Sequence, residues 1–224
     1  SMKRIPEPEE LMDDAAQARA YAEADFSEPN DLFVDLLERL VPGPLSGRLL
    51  DLGCGPGEIP LRIADRHPGL HIDALDGAPV MLDIARTRLD TLSGLAGRVR
   101  LLCEYLPCPD LRAQGYEFVV SNSLLHHLED PSALWQTVIH CGRPGAAVLV
   151  MDLARPGSRI AVDALVETHA MDAPEVLRRD FRNSLFAAYT ADEVREQLRR
   201  AGLLTLEVNP VSDRHLAVVG QLPF

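Results

Sequence analysis

The stretch LLDLGCGPGEIP (49–60) sets Gly53, Gly55 and Gly57 within five residues, directly behind a short apolar run. Glycine lets the backbone turn through conformations closed to other residues and lets a ligand lie against the chain. A helix opening after such a turn presents free N–H groups to a carboxylate or phosphate. Further on, IDALDG places Asp76 where a carboxylate could accept hydrogen bonds from both hydroxyls of a ribose. A glycine turn followed by a solvated aspartate is the plain alternative. The succession of strand, loop, helix, strand and terminal Asp weighs against it.

Two details narrow the ligand. A dinucleotide fingerprint needs its third glycine three residues after the second, but Glu58 holds that position and the spacing is GxGxG. Asp51, just ahead of the loop, suits an ammonium group better than a pyrophosphate. An amino acid joined to a nucleoside meets both demands.

Other side chains could act on a substrate beside that ligand. Ser121 and Asn122 end one apolar run, with His126 and His127 just beyond; Asp152 and Arg155 end another; Asp213, Arg214 and His215 share a late turn. His126 and His215 are candidate proton acceptors for an oxygen or nitrogen nucleophile. In residues 167–190, Arg178, Arg179 and Arg182 cluster in an otherwise acidic chain. Arg182, beside Asn183, is the candidate for orienting an anionic group. Arg178 and Arg179 read rather as a solvated helix face paired with Glu167, Glu175 and Asp180. Tyr21 and Phe26 could close over the ligand, although Phe26 would serve as well in a core.

The elements that position these residues follow from periodicity. Leu11, Ala15, Ala18 and Ala22 form one helical stripe; residues 32–41 form a second, ended by Pro42-Gly43-Pro44. From Arg48 onward, apolar runs at 49–52, 72–75, 99–103, 118–121 and 147–153 alternate with helical stretches at 58–66, 79–92 and 132–141. That alternation predicts an α/β fold with a doubly wound, mostly parallel sheet. Residues 155–188 form a helical excursion, and TADE at 190–193 is a capping-box signature. Strands at 203–208 and 216–220 follow, and their short connection makes the last strand antiparallel. The expected organisation is an N-terminal helical cap (1–44) and a ligand-binding domain (45–224). The cap and the 155–188 insertion would together form a lid.

At this point a family resemblance appears. LLDLGCGPG resembles the first motif, and LDGAPVMLDIAR the second, of class I S-adenosylmethionine-dependent methyltransferases, in particular the large set acting on small molecules. YEFVVSNSLLHHLEDP (116–131) is similar to the family's fourth-strand motif, and RPGAAVLVMDLARP to its fifth-strand segment. The match covers residues 48 to about 155 and is specific for fold and cofactor, not for acceptor. It implies a seven-stranded Rossmann-like sheet and S-adenosylmethionine as cofactor, with Asp76 on the ribose and Gly77 and Met81 along the adenine. His127 would be structural or a cofactor shelf. Tyr21, Asp51, Gly53, Gly55, Gly57 and Ser121 complete the expected contacts. After strand three the family commonly has Asp and a small residue; this chain has LLCEYLP, so Cys103 (through its backbone) and Glu104 are expected there instead. The implied reaction is methyl transfer to oxygen or nitrogen of a small-molecule acceptor. A tRNA or protein methyltransferase, and a non-methylating binder of a modified S-adenosylmethionine, are the alternatives.

Composition bounds the partners. A net charge of −12 argues against an extended nucleic-acid surface and against an anionic membrane. The four scattered cysteines show no CxxC spacing, so no metal is implied and a reducing cytoplasm is expected. No signal segment opens the chain, and Ser1 reads as an addition ahead of Met2. A monomer or homodimer is expected.

Overall fold

β1 (Ser46–Leu52), β2 (Gly69–Asp76), β3 (Val99–Cys103), β4 (Tyr116–Asn122) and β5 (Gly142–Leu153) run parallel in the computed structural model. β6 (Leu206–Pro210) and β7 (His215–Gln221) close the sheet as an antiparallel hairpin, with β7 also antiparallel to β5. The order is β3-β2-β1-β4-β5-β7-β6. Residues 2–8 and 14–224 are described; Ser1 and Leu11, both interpreted above, lie outside the described residues.

The helices are α1 (Ala15–Glu23), α2 (Ser27–Leu40), α3 (Glu58–Arg66), α4 (Pro79–Asp90), α5 (Ser132–Cys141), α6 (Arg159–Ala170), α7 (Glu175–Ala187) and α8 (Ala191–Ala201). They cover both sheet faces, which is why the central strands are apolar throughout rather than alternating. Leu50 and Leu52 face the core built on Val119, Trp135 and Val148; Leu49 faces the other, with Phe33, Ile63 and Ile72. Asp51 shares the side of Leu49, beneath α2 and α3. Because Phe33, Val34 and Leu37 of α2 belong to that core, α2 is a layer of the main sheet domain. α1 instead packs Ala18 against Ala78 and Met81 at the start of α4.

Several boundaries differ from expectation, and β5 already begins at Gly142 rather than at 147. α4 ends at Asp90 rather than Leu92. The excursion divides into α6 and α7. β6 begins at Leu206 rather than Leu203, because Leu203 finishes the preceding helix: its N–H donates to the Leu198 carbonyl at 2.9 Å, after Gly202 turns through a φ of 75°. Pro210 is tolerated because β6 is an edge strand.

The capping box of α8 is present as read. The Glu193 N–H donates to Thr190 Oγ1 at 3.2 Å, and the Thr190 N–H donates to Glu193 Oε1 at 2.9 Å. Glu193 also receives both terminal nitrogens of buried Arg155, each at 2.8 Å. Thr190→Ala should therefore cost about 1 kcal/mol, lowering the thermal midpoint by about 2–4 °C, measurable by circular dichroism.

An amino-terminal strap, residues 2–8, crosses the carboxyl ends of β4 and β5. The Ile5 N–H donates to the Phe186 carbonyl at 2.9 Å, and Arg155 Nε donates to the Met2 carbonyl at 2.8 Å. Arg4 reaches the carbonyls of Ala187 (2.5 Å) and His126 (2.9 Å) while its guanidinium lies over the Tyr189 ring.

Candidate functional site

The glycine loop folds back onto the end of β2. The N–H groups of Gly53 and Cys54 donate to the Leu75 carbonyl at 2.7 and 2.9 Å. Asp76 then clasps the loop: its Oδ2 accepts from the Gly55 N–H and its Oδ1 from the Ala78 N–H, both at 2.8 Å. Gly57 turns through a φ of 87° to cap α3, and a Cβ there would stand 3.0 Å from that of Ala85, so the loop is held hard against α4. A Cβ on Gly55 would meet nothing within 4 Å. That open backbone is where a ligand can approach.

Tyr21, Phe26, Asn30, Asp51, Gly53, Gly55 and Asn122 line one pocket at these strand ends. Burial pushes the Asp51 carboxyl up to about 7, helped by the nearby charge of Asp76. Asn122 Oδ1 is buried with no hydrogen-bond partner among the described residues. Two acceptors short of donors in one cavity are what an ammonium group would satisfy. Tyr21 stacks on Phe26 with centroids 4.8 Å apart, and its hydroxyl is pushed up to about 12 by burial and by the charges of Asp76, Asp152 and Glu58. With a carboxylate below the loop and open backbone above α3, these residues fit S-adenosylmethionine.

Other expected cofactor residues surround this pocket without lining it. Met81 is buried against Ala18 and Ala78. Cys103 ends β3 opposite Asp76, and the Glu104 N–H donates to the Asp76 carbonyl at 3.1 Å; these two and Gly77, like Asp76 and Gly57, stand behind the residues that line the pocket. Ser121 commits its hydroxyl to the Leu52 carbonyl at 2.7 Å, tying β4 to β1. Asn30 was not anticipated. Its signal was a polar residue on the buried stripe of α2, one turn before Phe33 and Val34.

A second cluster surrounds His126, which is only 4% exposed. Asp152 accepts from its backbone N–H and pairs with its ring Nδ1, both at 2.7 Å. Glu7, from the strap, stands 3.2 Å from His126 Nε2 and 2.9 Å from His127 Nδ1. Ser184 of α7 donates to Glu7 at 2.7 Å. Burial alone would lower His126, but the two carboxylates push it up to about 10; the same imidazoles hold Glu7 well below the usual carboxylate range against its own burial.

The closing hairpin does bring His215 to this edge, paired with Ser212 Oγ at 2.8 Å. Burial, reinforced by the charge of Arg214, drops its ring to about 4, so it is neutral at physiological pH. Asp213 and Arg214 form a rim with His169: His169 lies 2.8 Å from Asp213, which accepts from Arg214 at 2.8 Å. Arg182 joins neither histidine. Its guanidinium pairs with Asp163 and lies over the Phe186 ring on a partly exposed face.

Comparison with known proteins agrees with this geometry. The methyltransferase domain family matches residues 21–208. A ubiquinone biosynthesis O-methyltransferase from Xylella fastidiosa is 30% identical over 130 residues, 56% of this chain and 49% of its own length. A trans-aconitate 2-methyltransferase from Mycolicibacterium gilvum is 34% identical over 113 residues, 49% of this chain and 40% of its own. These matches thus span about half or less of the relatives' lengths. Among solved structures, a SAM-dependent methyltransferase from Aquifex aeolicus superposes with a TM-score of 0.67 at 17% identity, covering 92% of this chain and 98% of that one. Phosphoethanolamine N-methyltransferase 2 of Haemonchus contortus, in complex with S-adenosyl-L-methionine, superposes with a TM-score of 0.70 at 15% identity, covering 94% and 58%. The glycine loop, the Asp76 clasp, the antiparallel β7 and the domain match converge on one assignment: the chain belongs to the methyltransferase domain family, with the class I, S-adenosylmethionine-dependent fold.

Proposed function

We propose that this chain methylates an oxygen or nitrogen of a small-molecule acceptor. Bound S-adenosylmethionine supplies an electrophilic methyl group on a sulfonium that leaves as a neutral thioether. Asp51 and Asn122 hold the ammonium group, Asp76 receives the ribose hydroxyls while anchoring the loop, and Tyr21 with Phe26 covers the cofactor and excludes water.

The observation that carries the small-molecule reading is the cover over the strand ends. Asp152 is 1%, His126 4% and His215 6% exposed, with the strap reaching His126 through Glu7 and Arg4 and α7 through Ser184. A lid of that kind, with a net charge of −12, favours a compact acceptor over an RNA or protein surface. Names among the relatives, a ubiquinone-pathway O-methyltransferase and trans-aconitate 2-methyltransferase, support an oxygen acceptor. Among the described residues, no helix is long and apolar enough to cross a membrane.

His215 is the side chain assigned to proton removal. Being neutral, it can accept a proton, but a ring displaced to about 4 is a weak base, which favours acceptors that arrive already nucleophilic, such as carboxylates. His215→Asn should leave cofactor affinity unchanged and slow turnover of a hydroxyl or ammonium acceptor about tenfold or more; unchanged turnover removes His215 from this role. Arg182 has no part in this reading, its charge being committed to Asp163. The test of the whole is a screen of carboxylic acids, phenols, alcohols and amines, scored by S-adenosylhomocysteine release. Turnover confined to bulk RNA or protein would refute it, as would copurification of a carboxylated or decarboxylated cofactor with no turnover.

A further inference from the structure

Glu7, His126 and His127 have no assigned role in the cofactor pocket, yet their ligating atoms all lie within 4.8 Å of one another. We propose that these three residues bind one divalent transition-metal ion, which fastens the amino-terminal strap to the turn after β4.

Four observations carry this. The donor set is two imidazoles and one carboxylate, suited to zinc, cobalt or iron(II) and poorly suited to magnesium or calcium, which prefer all-oxygen shells. Asp152, 2.7 Å from His126 Nδ1, keeps a proton on that nitrogen, so a metal arriving at Nε2 displaces the ring's other proton and takes that lone pair. A carboxylate behind a ligating imidazole is the usual second-shell support for a metal. Among the described residues, buried His126 Nε2 has no partner that meets hydrogen-bond geometry, with Glu7 Oε1 standing 3.2 Å away as an ion pair. Finally, Glu7 faces both rings with one carboxylate, its Oε1 3.2 Å from His126 Nε2 and its Oε2 2.9 Å from His127 Nδ1. Two carboxylates, Glu7 and Asp152, supply the negative charge that a dication balances, and Ser184 aims the Glu7 carboxylate. Three protein ligands leave a coordination position for solvent or substrate.

The test uses the full chain, stripped with chelator and titrated with Co2+ and Zn2+. One Co2+ per chain should bind, with visible d–d absorption of tetrahedral or five-coordinate intensity and no thiolate charge-transfer band, and Zn2+ should displace it. Glu7→Gln and His127→Asn should each weaken Co2+ binding about a hundredfold, and the added thermal protection by Zn2+ seen in the parent should vanish. Retained S-adenosylmethionine affinity in these variants shows that they are folded. The proposal is overturned if the stripped parent binds neither ion at micromolar concentration. It is equally overturned if the folded variants bind as tightly as the parent, or if the Co2+ spectrum shows thiolate ligation.

Discussion

Asp51→Asn is expected to weaken S-adenosylmethionine binding about a hundredfold while raising the thermal midpoint of the ligand-free protein at pH 8. Both effects come from one buried carboxylate. Removing one partner of a buried, charge-assisted contact costs about 2–3 kcal/mol or more, and here the cofactor's ammonium would lose its countercharge. Without ligand, the charge of Asp51 is instead a burden, because burial and Asp76 both disfavour ionisation. Its folded pKa, about 7, lies above the ordinary 3.8. The native state therefore retains a proton that the unfolded chain has already released, and ligand-free stability falls as pH rises from about 4 to about 7. Above that window the full penalty is present, on the order of a few kcal/mol at one pKa unit per 1.4 kcal/mol. Asparagine removes it. In the parent, cofactor affinity should fall by up to tenfold per pH unit below about 7, because binding requires the carboxylate. Calorimetric titration from pH 5.5 to 8.5, alongside thermal melts, checks both statements. A parent affinity independent of pH, or an Asn variant that binds as tightly as the parent, would refute the role of Asp51.

Asp76→Asn should be nearly as damaging, by a different route. One carboxylate accepts the N–H groups of both Gly55 and Ala78 at 2.8 Å. An amide can accept only one of these well and turns a donor toward the other. The loop should loosen and the ribose should lose its acceptor, together weakening cofactor binding about a hundredfold. The same variant removes the charge that helps raise Asp51. The pH midpoint for residual cofactor binding should therefore move below that of the parent, a shift that simple loop damage does not predict. Binding measured across pH in the single variant separates the two, and an unmoved midpoint would mean that Asp51 and Asp76 do not communicate.

The two predictions concern the part of the molecule that was most legible in advance. Gly53, Gly55, Gly57, Asp51 and Asp76 are readable because their demands are local. A positive φ, a tight strand-to-helix turn and a carboxylate at a strand end are all set within a few residues. The same holds for the Thr190 capping box and the short β6–β7 connection. Element ends were less legible: Leu203 looks like the start of a strand but completes the α8 cap.

Sequence periodicity and local turn chemistry by themselves determined the parallel sheet, the helices on both faces and the glycine loop, since each follows from demands set within a few residues. What tertiary structure decided was the company each polar side chain keeps. Glu7 meets His126 and His127 only because the strap crosses the ends of β4 and β5. Arg182, attractive as a pocket cation, is drawn to Asp163 on the neighbouring helix instead. Ser121 spends its hydroxyl on β1, and Asn30 enters the pocket from the stripe of a core helix. Such meetings depend on crossovers that bring distant segments together, and short-range patterning carries no record of them.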